Sequence, residues 1–399
     1  MTKLYSFNRL ELAGSLGDMG TLLPIAAAMV VVNGLDPLGV FLAVGLFYVV
    51  SGVYFGVTVP VQPMKVIGAY AVATGLTASQ ISASTLMMGV LLLVLGACGA
   101  MDFIRKYTPI AVIRGVQLST GILLISGGMK FIIGVSGFQI LQGAAEPHLS
   151  MQTLGPIPIG LVLGGIAGFL TLILLDNKKY PAGLMVVLFG ILIGVIGTTK
   201  SNFGLHLPSF HMPRFFPASL PATVDFNFAL LVLVLPQLPM TVGNAVLAYT
   251  DLSSEYFGER SARVTNRRVC LSMAVANLMS FCLGGMPLCH GAGGLAAHYR
   301  FGARTAGSNL MIGGLFISLA LLLGPEIIYL LNLLPMAVLG VLLVFAGLQL
   351  ALTIMSLTER QEYFVAMLML GITLAANLAS AFVIGWLIAH LFRWKKILV

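Results

Sequence analysis

Apolar runs about 20 residues long recur from one end of this chain to the other, each long enough to cross a hydrocarbon layer about 30 Å thick. That recurrence fixes the solvent as a bilayer. Of the 399 residues, 58% are hydrophobic and only 9% charged, whereas a soluble globular chain carries about 25% charged residues. A water-facing surface of this size cannot be built from so few charges. The formal net charge of +8 does not point to nucleic acid, because no group of Lys and Arg interleaves with aromatic residues. Most basic residues instead stand at the ends of apolar runs, the positive-inside arrangement. Met1 to Glu11 lack a basic stretch followed by an apolar one, so no cleaved signal is expected. Cys98, Cys270, Cys282 and Cys289 lie within or beside apolar runs without metal-ligand spacing, and read as small buried residues. With no nucleophile–base pair, metal constellation or cofactor motif, the chain does not read as an enzyme.

Setting the apolar runs against their breakers gives segments at 10–32, 37–55, 63–76, 80–100, 108–135, 157–175 and 182–198. A second set follows at 226–250, 268–284, 290–300, 305–324, 328–354, 361–377 and 378–393. The third and tenth are too short to span alone, and each follows a Pro-containing extended stretch, Val57 to Pro63 and Leu283 to Cys289. Non-helical backbone at membrane depth is tolerated only where it is buried in protein or lines a cavity. Each stretch with its half-helix therefore counts as one crossing, and the expected fold is an all-α polytopic membrane protein of fourteen segments. With the amino terminus inside, sixteen Lys and Arg residues fall at inside ends and only Lys200 and Arg214 in outside loops. Shifting the count by one segment would destroy that bias. The expected location is the cell's inner (plasma) membrane, with both termini cytoplasmic.

The halves 1–200 and 226–399 also repeat. Ser15-Leu-Gly-Asp18 matches Thr241-Val-Gly-Asn244 at an offset of 226 residues, and Pro109-Ile-Ala-Val-Ile113 matches Pro335-Met-Ala-Val-Leu339 in the same register. Seven crossings per half is odd, so the second copy is expected upside down relative to the first. Interrupted segments at corresponding positions of inverted halves are the best sequence pointer to a transport site.

The two half-helices should meet near the midplane, each directing free N–H groups and a positive dipole end at the gap, where an anion can bind. The second begins Cys289, His290, Gly291, Ala292, Gly293, Gly294; its glycines would let a ligand approach the backbone, or would merely permit tight helix packing. Lys65, in Gln62-Pro-Met-Lys65, is either a site cation or a lysine snorkelling to the inside interface. Asp18 either pairs with Lys65 or takes up a proton during transport. Gln237 and Asn244 offer neutral donors or glue helices together. His290 could donate to an oxyanion or cap its helix. Arg114 reads as structural or gating, and His298, Tyr299, Arg300 and Arg304 as an interfacial anchor. Ser254 to Arg268 reads as a solvated amphipathic linker.

The stretches Leu12 to Pro24, with Ser15 and Asp18, Pro60-Val-Gln-Pro-Met-Lys65, Pro236-Gln-Leu-Pro-Met-Thr241, Pro287 to Ala296 and Tyr299 to Thr305 resemble the molybdate transporter family, a branch of the sulfate-permease superfamily. The resemblance runs over essentially the whole chain. It implies uptake of molybdate and a fold like that of the nucleobase and sulfate permeases. The seven plus seven inverted segments would divide into a core bundle, 10–100 with 226–324, and a gate bundle, 108–198 with 328–393. Transport would proceed by elevator-like movement of the core. A nucleobase permease would be expected to face its substrate with carboxylates from segments eight and ten, yet no Asp or Glu stands between Asp225 and Asp251 or between Glu259 and Glu326. The reading is therefore a secondary active importer of a tetrahedral oxyanion, with protons as the coupling candidate. Tungstate, sulfate and an anion channel remain as alternatives; a homodimer is the one assembly considered.

Overall fold

The computed structural model describes residues 4–100, 107–177, 180–198, 209–217 and 220–395. Helices dominate. The first half contains α1 (Arg9–Ser15), α2 (Met19–Val31), α3 (Pro37–Phe55), β1 (Gln62–Pro63), α4 (Lys65–Thr74), α5 (Ala78–Cys98), α6 (Ile110–Ile133) and α7 (Gly137–Gln142). An exposed hairpin, β2 (Thr153–Leu154) with β3 (Ile157–Pro158), leads into α8 (Ile159–Leu174) and α9 (Ala182–Gly197). The second half opens with a 39-residue helix, α10 (Thr223–Ser261). It continues with α11 (Asn266–Leu283), β4 (Leu288–Cys289), α12 (Ala292–Phe301), α13 (Ala306–Leu323), α14 (Ile327–Asn332), α15 (Met336–Ala351), α16 (Arg360–Ala375) and α17 (Leu378–Lys395). Among the described residues, six helices are long and apolar enough to cross a membrane, or seven if α1 and α2 form one span.

Local sequence explains the ends of these helices. Asp36 accepts from Gly39 N–H and Pro37 supplies the first-turn proline of α3, while Gly56 closes it in the left-handed conformation (φ 74°). In α10, Pro236 and Pro239 lie between two π-helical stretches, Ala229–Val234 and Thr241–Ala248. Wide turns of this kind accommodate residues that cannot complete an α-helical ladder.

Small residues set the packing, as expected without a hydrophobic drive between helices in lipid. A Cβ at Gly121 on α6 would lie 2.5 Å from the Gly347 carbonyl on α15, and one at Gly347 would lie 2.5 Å from the Gly121 carbonyl. Gly45 on α3 and Gly313 on α13 show the same reciprocity at 2.8 Å.

Several expectations change. The first segment is not one run over 10–32: it bends by 46° between α1 and α2. There Gly14 and Gly17 bring the chain against the backbone of Ala303 and Ala297. The run 328–354 is split before Pro335, which caps α15 from outside it. Cys270 and Cys289 are buried, but Cys98 is exposed and Cys282 only half-buried. Nor is Ser254 to Arg268 a free linker. It comprises the end of α10, a turn and the start of α11, and it is tied down by Arg260 Nη2 donating to Arg304 O (2.9 Å) and Arg263 Nη1 to Tyr54 O (3.2 Å).

Candidate functional site

The site begins with a very short ladder. β1 and β4 run antiparallel, Gln62 opposite Cys289 and Pro63 opposite Leu288, and Met64 N–H donates to Pro287 O at 2.9 Å. Buried asparagines complete the bonding of this non-helical backbone. Asn309 accepts from Val59 N–H and donates to Val59 O, both at 2.8 Å; Asn277 does the same for Leu288, at 3.0 and 2.7 Å. No polar backbone group of Val59 or Leu288 therefore has to be left bare at membrane depth.

From this ladder α4 and α12 depart, and their first turns differ. In α4 the first helical bond is Gly68 N–H to Met64 O, so the amides of Lys65, Val66 and Ile67 precede it. Gln237 Oε1 accepts from Val66 at 3.0 Å and Ile67 at 3.4 Å, while its Nε2 donates to Thr241 Oγ1 at 2.9 Å. In α12 the first bond is Leu295 N–H to Gly291 O, and among the described residues no side chain caps the amides of Ala292, Gly293 and Gly294. Beside them Gln62 is 2% exposed, and its Oε1 has no hydrogen-bond partner among the described residues.

Of these groups, Gln62, Lys65 and Gly293 border a cavity of about 320 Å³. One wall carries Gly17, Asp18, Gln62, Lys65 and Gly293, and the other Thr171 on α8, Pro181 before α9, and Phe345 and Gln349 on α15. Lys65 forms no ion pair among the described residues. The two walls meet where Gly20 approaches Gly183, and Arg300 Nη2 donates to Asp176 O at 2.9 Å across them.

Gln62, Lys65, Gly293 and Asp18 thus share one cavity, and the sequence reading offered no sign of Thr171 or Gln349. Other expected residues sit elsewhere. The Ser15 hydroxyl donates to Leu12 O at 2.8 Å at the end of α1 and is absent from the cavity wall. The His290 ring is bonded at both nitrogens, to Pro60 O (2.9 Å) and Ser272 Oγ (3.2 Å), stacks on Tyr249 and packs against the tilted ring of Phe47. Cys289 lies in β4 with its thiol against Pro63 O, and Gly291 precedes α12 where a Cβ would strike Gln62 Oε1. Gln237 spends its carbonyl as a helix cap. Asn244 Nδ2 would lie 3.5 Å from a Cβ at Gly291, outside the wall. Arg114 bonds Ser356 and Gln117 and braces α6 against the chain after α15.

His298 is a correction. Far from anchoring an interface, it is fully buried, with Nε2 3.1 Å from Asp18 Oδ1. Tyr48 OH donates to the same oxygen at 3.2 Å. Asp18 is therefore partnered by His298 and Tyr48, not by an ion pair with Lys65. The bend between α1 and α2 turns its carboxylate to meet them.

The fold of this helical bundle has counterparts among solved membrane transporters. The chain superposes on the transmembrane domain of a cyanobacterium bicarbonate transporter, BicA, with a TM-score of 0.65 and 15% identity, covering 96% of this chain and 97% of that one. It also superposes on the murine Solute Carrier 26 family member A9 anion transporter in the inward-facing state, with a TM-score of 0.69 and 15% identity, covering 99% and 69%. A sequence profile described as molybdate transporter of the MFS superfamily matches residues 10–124 and 229–350, more than half of the chain. Molybdate transporter 2 of Arabidopsis thaliana is 30% identical, covering 93% of this chain and 84% of that protein, and molybdate transporter 1 of Chlamydomonas reinhardtii is 30% identical, covering 94% and 89%. The chain belongs to the molybdate transporter family.

Proposed function

We propose that this protein is a secondary active transporter that imports molybdate, or a related tetrahedral oxyanion, into the cell with co-transported protons. The observation that carries the reading is the meeting, at one cavity, of the α12 start at Gly293, whose first-turn amides have no side-chain cap among the described residues, with Gln62 and Lys65. Neutral N–H donors with one ammonium suit a dianion better than a heterocycle.

Fourteen crossings in two inverted halves fit the spacing of elements. β1 and β4 start 226 residues apart (62 and 288), α6 and α15 also 226 (110 and 336), and α4 and α12 227 (65 and 292). The reciprocal contacts of Gly121 with Gly347 support the same symmetry. An elevator motion of the core, 10–100 with 226–324, against the gate, 108–198 with 328–393, is supported by the cavity lying between them. The positive-inside bias supports cytoplasmic termini. Importing a dianion against an inside-negative potential costs about 2.3 kcal/mol per charge per 100 mV, so more than two co-transported positive charges make the cycle electrically favourable. Asp18, on the cavity wall, is the carboxylate placed to take part.

The test is direct binding of molybdate, sulfate and uracil to the purified protein, followed by uptake into proteoliposomes under an imposed proton gradient. Saturable molybdate binding by both wild type and Asp18→Asn is expected, with uphill uptake under the proton gradient lost in Asp18→Asn. Preferential binding of uracil, or only downhill flux, overturns the reading.

A further inference from the structure

We infer that His298, acting through Asp18, binds the proton that accompanies the anion, and that a pair of buried hydroxyls lets its ring hold either one proton or two. The inference rests on the transport reading above and names the group that performs the coupling.

Asp18 lines the cavity, and an ionised carboxylate on that wall repels an entering dianion. A neutral imidazole does not cancel the charge, whereas one added proton on the pair does. The other groups facing the pair are Tyr48 on α3, bonded to Asp18, and Lys65 on α4, across the cavity wall. His298 itself is absent from that wall, so it reaches the anion only through Asp18.

The far side of the ring is built to adapt. His298 Nδ1 lies 2.9 Å from Thr58 Oγ1; Thr58 Oγ1 lies 2.8 Å from Ser308 Oγ, and Ser308 Oγ lies 2.8 Å from Thr305 O. With the ring neutral, Nε2–H donates to Asp18, the Thr58 hydroxyl donates to Nδ1, and the Ser308 hydroxyl donates to Thr58. With the ring protonated, Nδ1–H donates to Thr58 Oγ1, the Thr58 hydroxyl donates to Ser308, and the Ser308 hydroxyl turns to Thr305 O. Every donor finds an acceptor in both states, at the cost of two hydroxyl rotations and no heavy-atom movement. A site in which both charge states are satisfied avoids the cost of a buried, unmatched polar group in either.

His290 is held in a similar way, Nδ1 at Pro60 O and Nε2 at the Ser272 hydroxyl. What sets His298 apart is its bond to Asp18, the carboxylate that lines the cavity. The step is a simple protonation: a proton from cavity water joins the pair as the anion enters and leaves with it through Asp18.

The experiment is equilibrium molybdate binding to the purified full-length protein between about pH 6 and about pH 9, the range in which histidine can exchange its charge. In the wild type the Kd should fall about tenfold for each pH unit of acidification over part of this range, the signature of one linked proton. His298→Gln keeps a donor to Asp18 and an acceptor for Thr58, and should bind with a Kd that no longer varies with pH. Thr58→Val removes the adaptable hydroxyl and leaves the ring, and should alter the pH profile of binding relative to the wild type. A wild-type slope retained in His298→Gln overturns the inference, as does pH-independent binding by the wild type. Should His298→Gln fail to fold, an unchanged pH profile in Thr58→Val overturns it equally. Wild-type protein that binds no molybdate at any pH refutes the transport reading itself, and this inference with it.

Discussion

Gly293 and Gly294 are neighbours in sequence and opposites in surroundings, which makes them a matched pair of probes. A Cβ at Gly293 meets nothing within 4 Å, because that position opens onto the cavity. A Cβ at Gly294 would sit 2.6 Å from Gln62 Nε2 and 2.7 Å from Pro60 Cβ. Alanine at position 293 should therefore leave the fold intact, and relief of glycine's backbone entropy adds about 0.5–1 kcal/mol. Bulk at 293 blocks the approach of an anion to the first-turn amides. Hydrogen bonds to a charged group are worth about 1.5–3 kcal/mol each, and each 1.4 kcal/mol is about tenfold in Kd. Gly293→Ala should weaken molybdate binding at least about tenfold, and Gly293→Val about a hundredfold or more, with no fall in melting temperature for the alanine variant. Gly294→Ala must push Pro60 aside, an overpacking cost of about 1–3 kcal/mol, so it should lose stability as well as affinity. Isothermal titration and thermal melts on the same preparations give both quantities. Gly293→Val binding within about twofold of wild type would refute the placement of the anion at this helix start.

Lys65→Met should weaken binding by about a hundredfold or more, since one charge at about 4 Å and an effective dielectric constant near 20 contributes about 4 kcal/mol. Lys65→Arg should fall between, a planar fork replacing a compact ammonium; reduced expression with unchanged affinity would instead make Lys65 structural. Gln237→Glu keeps the cap on Val66 and Ile67 and places a carboxylate at a positive helix end, so the melting temperature should hold or rise while anion affinity falls about tenfold or more. Unchanged affinity would separate Gln237 from the site. Glu146, in the loop after α7, accepts from Met336 and Ala337 N–H at the start of α15, and burial raises its pKa from the ordinary 4.5 to about 7. A raised carboxyl pKa favours the protonated folded form, so its contribution is complete below about pH 4.5 and is lost as pH rises through about 7. The melting temperature of the wild type should fall over that interval relative to Glu146→Gln, whose profile should be flatter; parallel profiles would show that Glu146 does not titrate there.

What the sequence disclosed followed physical scale. Apolar length is a property of a whole run, and so the membrane class and most helix limits could be read directly. Prolines and glycines mark local backbone, which is why Val57 to Pro63 and Leu283 to Cys289 stood out. Side-chain direction is set by tertiary geometry. Ser15 and Asp18 share one short motif, yet the bend after Leu16 leaves the first bonded to its own helix and sends the second to Tyr48 and His298. His298 stands beside Tyr299 and Arg300, a polar run that reads as surface, and only the fold shows that this helix face is sealed. The role of Gln237 was hidden for the same reason, since the donors to its Oε1, Val66 and Ile67 N–H, lie 171 and 170 residues away.

The ladder between Gln62 and Cys289 has a consequence for thermodynamics. It stitches both short helices to one another, so under the proposed motion the donors around the anion travel as one rigid unit and keep their mutual geometry. A carrier of this sort presents nearly the same dissociation constant to either side of the membrane, and a ligand with equal affinity for two states shifts neither. Directionality then resides in the driving gradients and not in the protein. The same molecule should run in reverse when those gradients collapse, returning its cargo to the medium until the concentrations balance.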